Sequence, residues 1–318
     1  MSINEDYPRG PTRIVLNFAH RCNMSCEWCY VPFAGDRPDP AVCKRIIERS
    51  AEIGFEVFTF GGGDPMLYEF LPELIASAKK RGLFVHVDTN GIGLQCTQAT
   101  VSLLNQGIDL LGLPLDGPRA EIHDRMRSTQ SHFELALDRL TWLRPFMCKV
   151  KINTFVSKFN VNAIPEMVPL IARLGPSRWS LYQYWPLSHG KTAMTRHVIL
   201  DEQFSTIMGR LPTVIDRVRV EVNPLPVRRL TYPFVSHDGM IYIHDEMDES
   251  SYKMLGPIFD DAVIAELFAK CGMEREEAKS RYASPGGLGK MEGGTPALPL
   301  RNLDANSYRR CAKSVPDC

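Results

Sequence analysis

Residues 12–30 read T-R-I-V-L-N-F-A-H-R-C-N-M-S-C-E-W-C-Y, an apolar run that ends in a loop carrying Cys22, Cys26 and Cys29. A short Ile/Val/Leu run bounded by polar residues reads as a buried strand, so the cysteines fall in the loop that leaves its C-terminal end. Their CxxxCxxC spacing packs three thiols into eight residues with no fourth nearby. Three thiolates suit a cubane iron–sulfur cluster that keeps one iron open to a second molecule. Two other readings stay open. A structural zinc ion would want four ligands, usually as paired CxxC, with His20 close enough to be the fourth. The third reading is a group of thiols with no metal. The ligand count favours the cluster.

Outward from this loop, strand and helix signals alternate. Strand-like runs cover 14–18, 55–60, 83–87, 108–115, 149–156 and 179–184. Helical spacing links Val42, Ile46, Ile47 and Ile53 behind the capping pair Asp39-Pro40 and ahead of Gly54. Further helices are expected over 67–81, 99–105, 133–143 and 164–174. Six βα repeats imply an α/β fold with a parallel sheet, and right-handed crossovers curl such a sheet into a partial (β/α)6 TIM barrel. Active-site residues should then lie at the C-terminal strand ends. The cysteine loop follows strand one, Gly61-Gly62-Gly63-Asp64-Pro65 strand two, Asp88-Thr89-Asn90-Gly91 strand three and Asp116-Gly117-Pro118 strand four.

After residue 186 the pattern weakens. A helix is expected over 201–211, and strands over 217–222 and 240–243. The stretch 284–299 is rich in Gly and Pro. We expect a core barrel over 12–186 and a small C-terminal extension over 187–318 that closes the barrel and shapes the pocket. The 318 residues carry 37 Lys plus Arg against 37 Asp plus Glu, so bulk charge does not favour nucleic acid as a partner. No apolar run is long enough to cross a bilayer, and the polar N-terminus is no signal peptide, so a cytoplasmic protein is expected. Nine cysteines in such a chain read as metal ligands or buried thiols rather than disulfides.

Taken together, Cys22-x3-Cys26-x2-Cys29-Tyr30, Gly62-Gly63-Asp64-Pro65, Thr89-Asn90-Gly91 and Leu115-Asp116-Gly117-Pro118 resemble the motifs of the radical S-adenosylmethionine (SAM) enzymes over roughly residues 12–185. The resemblance implies a [4Fe-4S] cluster on Cys22, Cys26 and Cys29, SAM on its open iron, and an external one-electron reductant such as flavodoxin or ferredoxin. Reductive cleavage of SAM would yield a 5′-deoxyadenosyl radical that abstracts hydrogen from a substrate. It assigns SAM binding to Tyr30, Gly62, Gly63, Asp64 and Pro65, with Asp64 accepting from the methionyl ammonium. Thr89 and Asn90 are candidates near the ribose or the methionyl part. Arg127 is a candidate for the carboxylate, weighed against a solvent-exposed salt bridge. Asn153 and Gln183 are further candidates, and Asp116, Tyr182 and His244 are the candidate catalytic residues.

Two branches compete. Residues 151–160, with Arg178-Trp179 and Gln183, look like viperin and its prokaryotic relatives, which act on nucleoside triphosphates; Lys191 to His197 is a modest basic supply for one. Residues 235–244 and 255–259 resemble the SPASM and twitch maturases. A cysteine ligand of an auxiliary cluster usually stands there in place of His244. Cys271, Cys311 and Cys318 lack cluster spacing, so the extension reads as a degenerate one. His237, His244, Asp245 and Glu246 would line the substrate pocket or form a polar surface hairpin. About a dozen residues precede strand one, leaving no room for a leader-binding domain. A small metabolite, sugar or nucleotide-like substrate is therefore expected. A peptide maturase without an auxiliary cluster and a non-catalytic zinc-binding barrel are the alternatives.

Overall fold

The computed structural model describes residues 11–271 apart from 34–35, 96, 147, 188–194, 230–232, 246–247 and 249–250. Glu246, most of the Lys191–His197 run, the stretch 284–299, Cys311 and Cys318 therefore lie outside the described residues.

Six strands and their helices alternate as the sequence suggests: β1 (Arg13–Asn17), α1 (Pro40–Ile53), β2 (Val57–Gly61), α2 (Leu71–Lys80), β3 (Phe84–Asp88), α3 (Gln98–Ser102), β4 (Leu110–Pro114), α4 (Ala120–Arg127), α5 (His132–Trp142), β5 (Lys149–Val156), α6 (Val168–Leu174) and β6 (Arg178–Gln183). Their register is parallel throughout, from Arg13 beside Val57 to Lys151 beside Arg178. Helix α1 starts where Asp39 accepts a hydrogen bond from the Ala41 amide, with Pro40 at its first position. It buries Cys43, Ile46, Ile47, Ser50 and Ile53 and ends at Gly54, whose φ of 100° lies in the left-handed region. Three expected helices differ at an end. The one over 67–81 begins as a 3₁₀ turn, Pro65–Leu67, before α2; α3 continues as a π turn, Leu103–Gly107; a 3₁₀ turn, Val161–Met167, precedes α6. Helix α4 has no counterpart among the expected elements, because it buries only His123 and Met126 and so shows no apolar stripe.

The extension supplies α7 (Asp201–Met208), β7 (Val214–Ile215), β8 (Val218–Asn223), α8 (Leu225–Arg229), β9 (Phe234–Ser236), β10 (Met240–His244), β11 (Tyr252–Pro257) and α9 (Asp261–Lys270). The sheet order is β11-β10-β9-β1-β2-β3-β4-β5-β6-β8-β7. Both β9 and β8 add in parallel, to β1 and β6 respectively. Among the described residues the extension adds strands at both edges of the sheet, and no strand pairing joins those edges. Cys271, at the end of α9, is buried in the apolar core.

The two faces of the sheet differ. The outer face carries Ile14, Leu16, Phe58, Phe60, Val85, Val87, Leu111, Leu113, Ile152, Trp179 and Leu181, packed with the helices in one apolar core. The inner face carries polar side chains, and a second apolar cluster of Val15, Trp185, Leu187, Leu225, Phe234 and Tyr242 lies beneath the extension.

Candidate active site

A pocket opens at the C-terminal ends of the strands. Cys22, Cys26, Cys29, Tyr30, Gly62, Gly63, Thr89, Asn90, Arg127, Asn153 and Tyr182 all line it. Of the residues singled out in the sequence, Asp64, Pro65, Asp116, Gln183, His237, His244 and Asp245 do not.

The glycine turn holds the cysteine loop by its backbone. The Phe18 and Ala19 amides donate to the Gly61 and Gly62 carbonyls, and the Asp64 amide donates to the Arg21 carbonyl. Gly62 and Gly63 have φ of +63° and +79°. A Cβ on Gly62 would stand 2.5 Å from the Asn17 Cα, and one on Gly63 would stand 2.3 Å from the Arg21 carbonyl oxygen. Both glycines are thus required by the close approach of two loops as well as by their backbone angles.

Asp64 is fully buried behind the pocket. Its carboxylate accepts from the Met66 amide (2.9 Å), the Asn90 amide (3.0 Å) and the Thr89 hydroxyl (2.9 and 3.0 Å). Burial raises its pKa, and these bonds oppose the rise. Asp64 therefore ties the turn after β2 to the turn after β3, and Pro65 opens the 3₁₀ turn.

Arg127 is not on the surface. Its Nε lies 2.5 Å from Asp116 Oδ2, with the two side chains 12% and 0% exposed. The second Asp116 oxygen accepts from the Phe155 amide at 2.7 Å. Burial disfavours the guanidinium charge, but Asp116 and Cys26 outweigh it and raise the Arg127 pKa. The guanidinium also lies 4.6 Å over the Trp28 ring. Trp28 in turn stacks on Phe155 at 3.8 Å and donates from Nε1 to the Met126 carbonyl at 2.6 Å. The cysteine loop is thereby clamped to the end of α4.

Gln183 is occupied within the frame. Its Nε2 donates to Asp201 (2.6 Å), its Oε1 accepts from the Leu225 amide (2.8 Å), and its carbonyl accepts from Arg228 (2.7 Å). His244 is 2% exposed and stacks on Trp185 at 5.3 Å, away from the lining of the pocket.

Of the polar inner wall, the sequence singled out Asn153 and Tyr182 but not Arg13, Thr59, His86 or Lys151. Arg13 Nε donates to Thr59 (2.8 Å), and its Nη2 lies 3.2 Å from His86 Nδ1 and 3.9 Å from Asp88. Asn153 Nδ2 donates to Asp88 Oδ1 at 2.7 Å, and Lys151 Nζ donates to the Tyr182 hydroxyl at 2.6 Å. Burial works against the Asp88 charge, but His86, Lys151 and Arg13 outweigh it and hold the carboxyl well below the usual range. Burial lowers His86 to about 4 and Lys151 to about 8. Gly112 makes the crossing possible, since a Cβ there would stand 2.0 Å from Asp88 Oδ1. The available signal was a period of two, in Arg13-Val15-Asn17, His86-Asp88, Lys151-Asn153-Phe155 and Arg178-Ser180-Tyr182.

The thiols suit a bound cluster. All three border one pocket, and each receives a donor: Met24 and Asn90 for Cys22, Arg127 for Cys26, Val31 for Cys29. Without a metal, burial raises all three pKa values, that of Cys29 to about 12. Burial thus opposes the thiolate form that ligation requires, and the hydrogen-bond donors to each sulfur favour it. No described helix is long and apolar enough to cross a membrane.

Residues 16–171 match the Radical SAM superfamily model. The chain is 28% identical to an AdoMet-dependent heme synthase of Oleidesulfovibrio alaskensis over 202 residues, covering 62% of this chain and 51% of that one. It is 23% identical to a PqqA peptide cyclase of Rhodopseudomonas palustris over 205 residues, covering 62% and 54%. The chain thus spans about half the length of these curated relatives. Its fold is similar to that of Streptococcus suis SuiB bound to S-adenosylmethionine, with a TM-score of 0.65 at 14% identity over 81% of this chain and 66% of that one. Radical SAM enzymes bind a [4Fe-4S] cluster and SAM. The chain carries a radical SAM superfamily domain over residues 16–171, with Cys22, Cys26 and Cys29 as its CxxxCxxC motif.

Proposed function

We propose that the protein cleaves SAM reductively and uses the resulting radical to abstract hydrogen from a small polar substrate, as an oxidoreductase or lyase. One observation carries this reading: the loops after β1, β2 and β3 and the end of α4 bring the three thiols, Gly62–Gly63, Thr89–Asn90 and Arg127 to a single pocket. A [4Fe-4S] cluster with SAM on its open iron supplies the 5′-deoxyadenosyl radical when both are bound. Cys22, Cys26 and Cys29 would hold the cluster. The Gly62–Gly63 backbone would face the methionyl end of SAM, and Arg127 its carboxylate. Asp88, Asn153 and Tyr182 would orient the substrate on the inner wall. Asn153 Oδ1 is buried with no protein partner among the described residues, which suits an acceptor kept for a ligand. A flavodoxin or ferredoxin would deliver the electron. A peptide substrate is the second reading, favoured by the likeness to PqqA peptide cyclases.

Anaerobic reconstitution with iron and sulfide, followed by reductant and SAM, tests the proposal. About four irons per chain, a reducible cluster signal and 5′-deoxyadenosine are expected, and Cys26→Ala should abolish all three. One zinc per chain, or no 5′-deoxyadenosine from a fully loaded cluster, would sink it.

A further inference from the structure

Asn90 has a second task that its place in the pocket does not announce. Its side-chain Oδ1 accepts from the Ile92 amide at 2.9 Å, so the other end of the amide must be Nδ2. That nitrogen has two hydrogens and two acceptors: Asn23 Oδ1 at 2.6 Å and Cys22 Sγ at 3.7 Å.

The backbone of Asn90 is fixed as firmly. Its amide donates to Asp64 (3.0 Å), and its carbonyl accepts from His132 Nε2 (2.9 Å). The rest of that chain has one consistent set of tautomers. The Asp116 amide donates to His123 Nδ1 (2.9 Å), so His123 carries its hydrogen on Nε2 and donates to His132 Nδ1 (2.8 Å). His132 then donates from Nε2 to Asn90. Both histidines are buried, at 0% and 2% exposure. A rigid line of hydrogen bonds thus runs from the turn after β4 to the cysteine loop and ends on a thiol.

We infer that Asn90 is a positioning residue for the electron-transfer step, donating an N–H···S hydrogen bond to the Cys22 thiolate and raising the reduction potential of the cluster bound there. The inference rests on the proposed cluster. Its physical basis is that a hydrogen bond to a ligating sulfur favours the reduced state, in which the sulfurs carry more negative charge. Asn90→Asp is the informative change. It keeps the acceptor for the Ile92 amide, removes the donor and puts a carboxylate beside the sulfur.

The experiment is an EPR-monitored redox titration of the reconstituted full chain. The potential should fall in Asn90→Ala and fall further in Asn90→Asp, at equal iron content. We expect a shift of the electron equilibrium of at least tenfold in Asn90→Asp, 59 mV for one electron. An electron equilibrium within twofold of the wild type in both variants, about 18 mV, overturns the inference. If the variants do not hold a cluster, the wild type decides. Pulsed EPR of the reduced protein carrying 15N in its asparagine side chains should show a coupled nitrogen, and its absence overturns the inference. A wild-type chain that binds no iron–sulfur cluster would overturn the proposed function itself, whereas a cluster indifferent to Asn90 overturns only this step.

Discussion

Replacing Arg127 by Met tests the clamp that holds the cysteine loop. The side chain removed is 12% exposed, and its partner Asp116 is fully buried. Asp116 keeps its hydrogen bond from the Phe155 amide but loses the guanidinium at Oδ2. Breaking a buried pair by removing one partner costs about 3–5 kcal/mol, against a total stability of about 5–15 kcal/mol. Methionine fills much of the volume over Trp28, so little of that loss comes from a cavity. At a urea m-value of about 3 kcal/mol/M, the midpoint should fall by about 1–1.7 M. Asp116→Asn in the same chain removes the stranded charge and keeps the acceptor for Phe155. The double variant should therefore recover about half of the loss. Urea unfolding of wild type, both single variants and the double variant, followed by tryptophan fluorescence, measures the coupling. A loss below about 1 kcal/mol for Arg127→Met, or simple additivity in the double variant, would refute the buried pair as the clamp.

Two further outcomes follow from the buried polar groups. Gly112→Ala places a methyl 2.0 Å from Asp88 Oδ1 and 2.7 Å from Asn153 Nδ2, so their hydrogen bond must break; a stability loss of about 1–3 kcal/mol is expected by urea unfolding, and an unchanged midpoint would count against the crowded inner wall. Burial, helped by Arg127 and His132, pushes the His123 pKa down to about 2, and burial lowers His132 as well. As pH falls below the unfolded value of about 6.5, the unfolded chain takes up protons that the native pair refuses, so stability declines. At pH 5.5 the loss is about 1.4 kcal/mol for His123, with His132 adding in the same direction. The double variant His123→Gln, His132→Gln should lose less stability between pH 7.5 and 5.5 than the wild type, by at least that amount; equal losses would contradict neutral histidines.

The barrel was legible because its signals are local. Asp39-Pro40 and Gly54 mark the ends of α1, and the strand runs fall within two residues of β1 to β6. The rim of the site was legible because each turn follows a strand. Two things were hidden. Helix α4 reads as polar because it packs by one turn against the cysteine loop, and only the fold reveals that Met126 and Arg127 face Trp28 and Cys26. The pairings of the inner wall were hidden because the partners are far apart in sequence: Arg13 meets His86, 73 residues on, and Asn153 meets Asp88, 65 residues back. Alternation could flag such residues, but which of them pair depends on strand register.

The cysteine loop has no secondary structure of its own, so its order must come from its neighbours. Each thiol draws on a different one. Cys22 meets Asn90 from the turn after β3, and Cys26 meets Arg127 at the end of α4. Cys29 is followed by Tyr30, whose carbonyl accepts from the Tyr252 hydroxyl on β11 and whose ring lies 5.5 Å from Phe234 on β9. The three ligand positions therefore report on three separate packing events: β3 against the Gly62–Gly63 turn, α4 against the loop, and the extension against the edge of β1. Each ligand position is thus tied to a different neighbour of the loop, and all three border one pocket. The tie at Cys29 also gives the extension a structural reason to sit beside β1. Its β9 and β11 place the rings of Phe234 and Tyr252 beside Tyr30, the residue that follows Cys29.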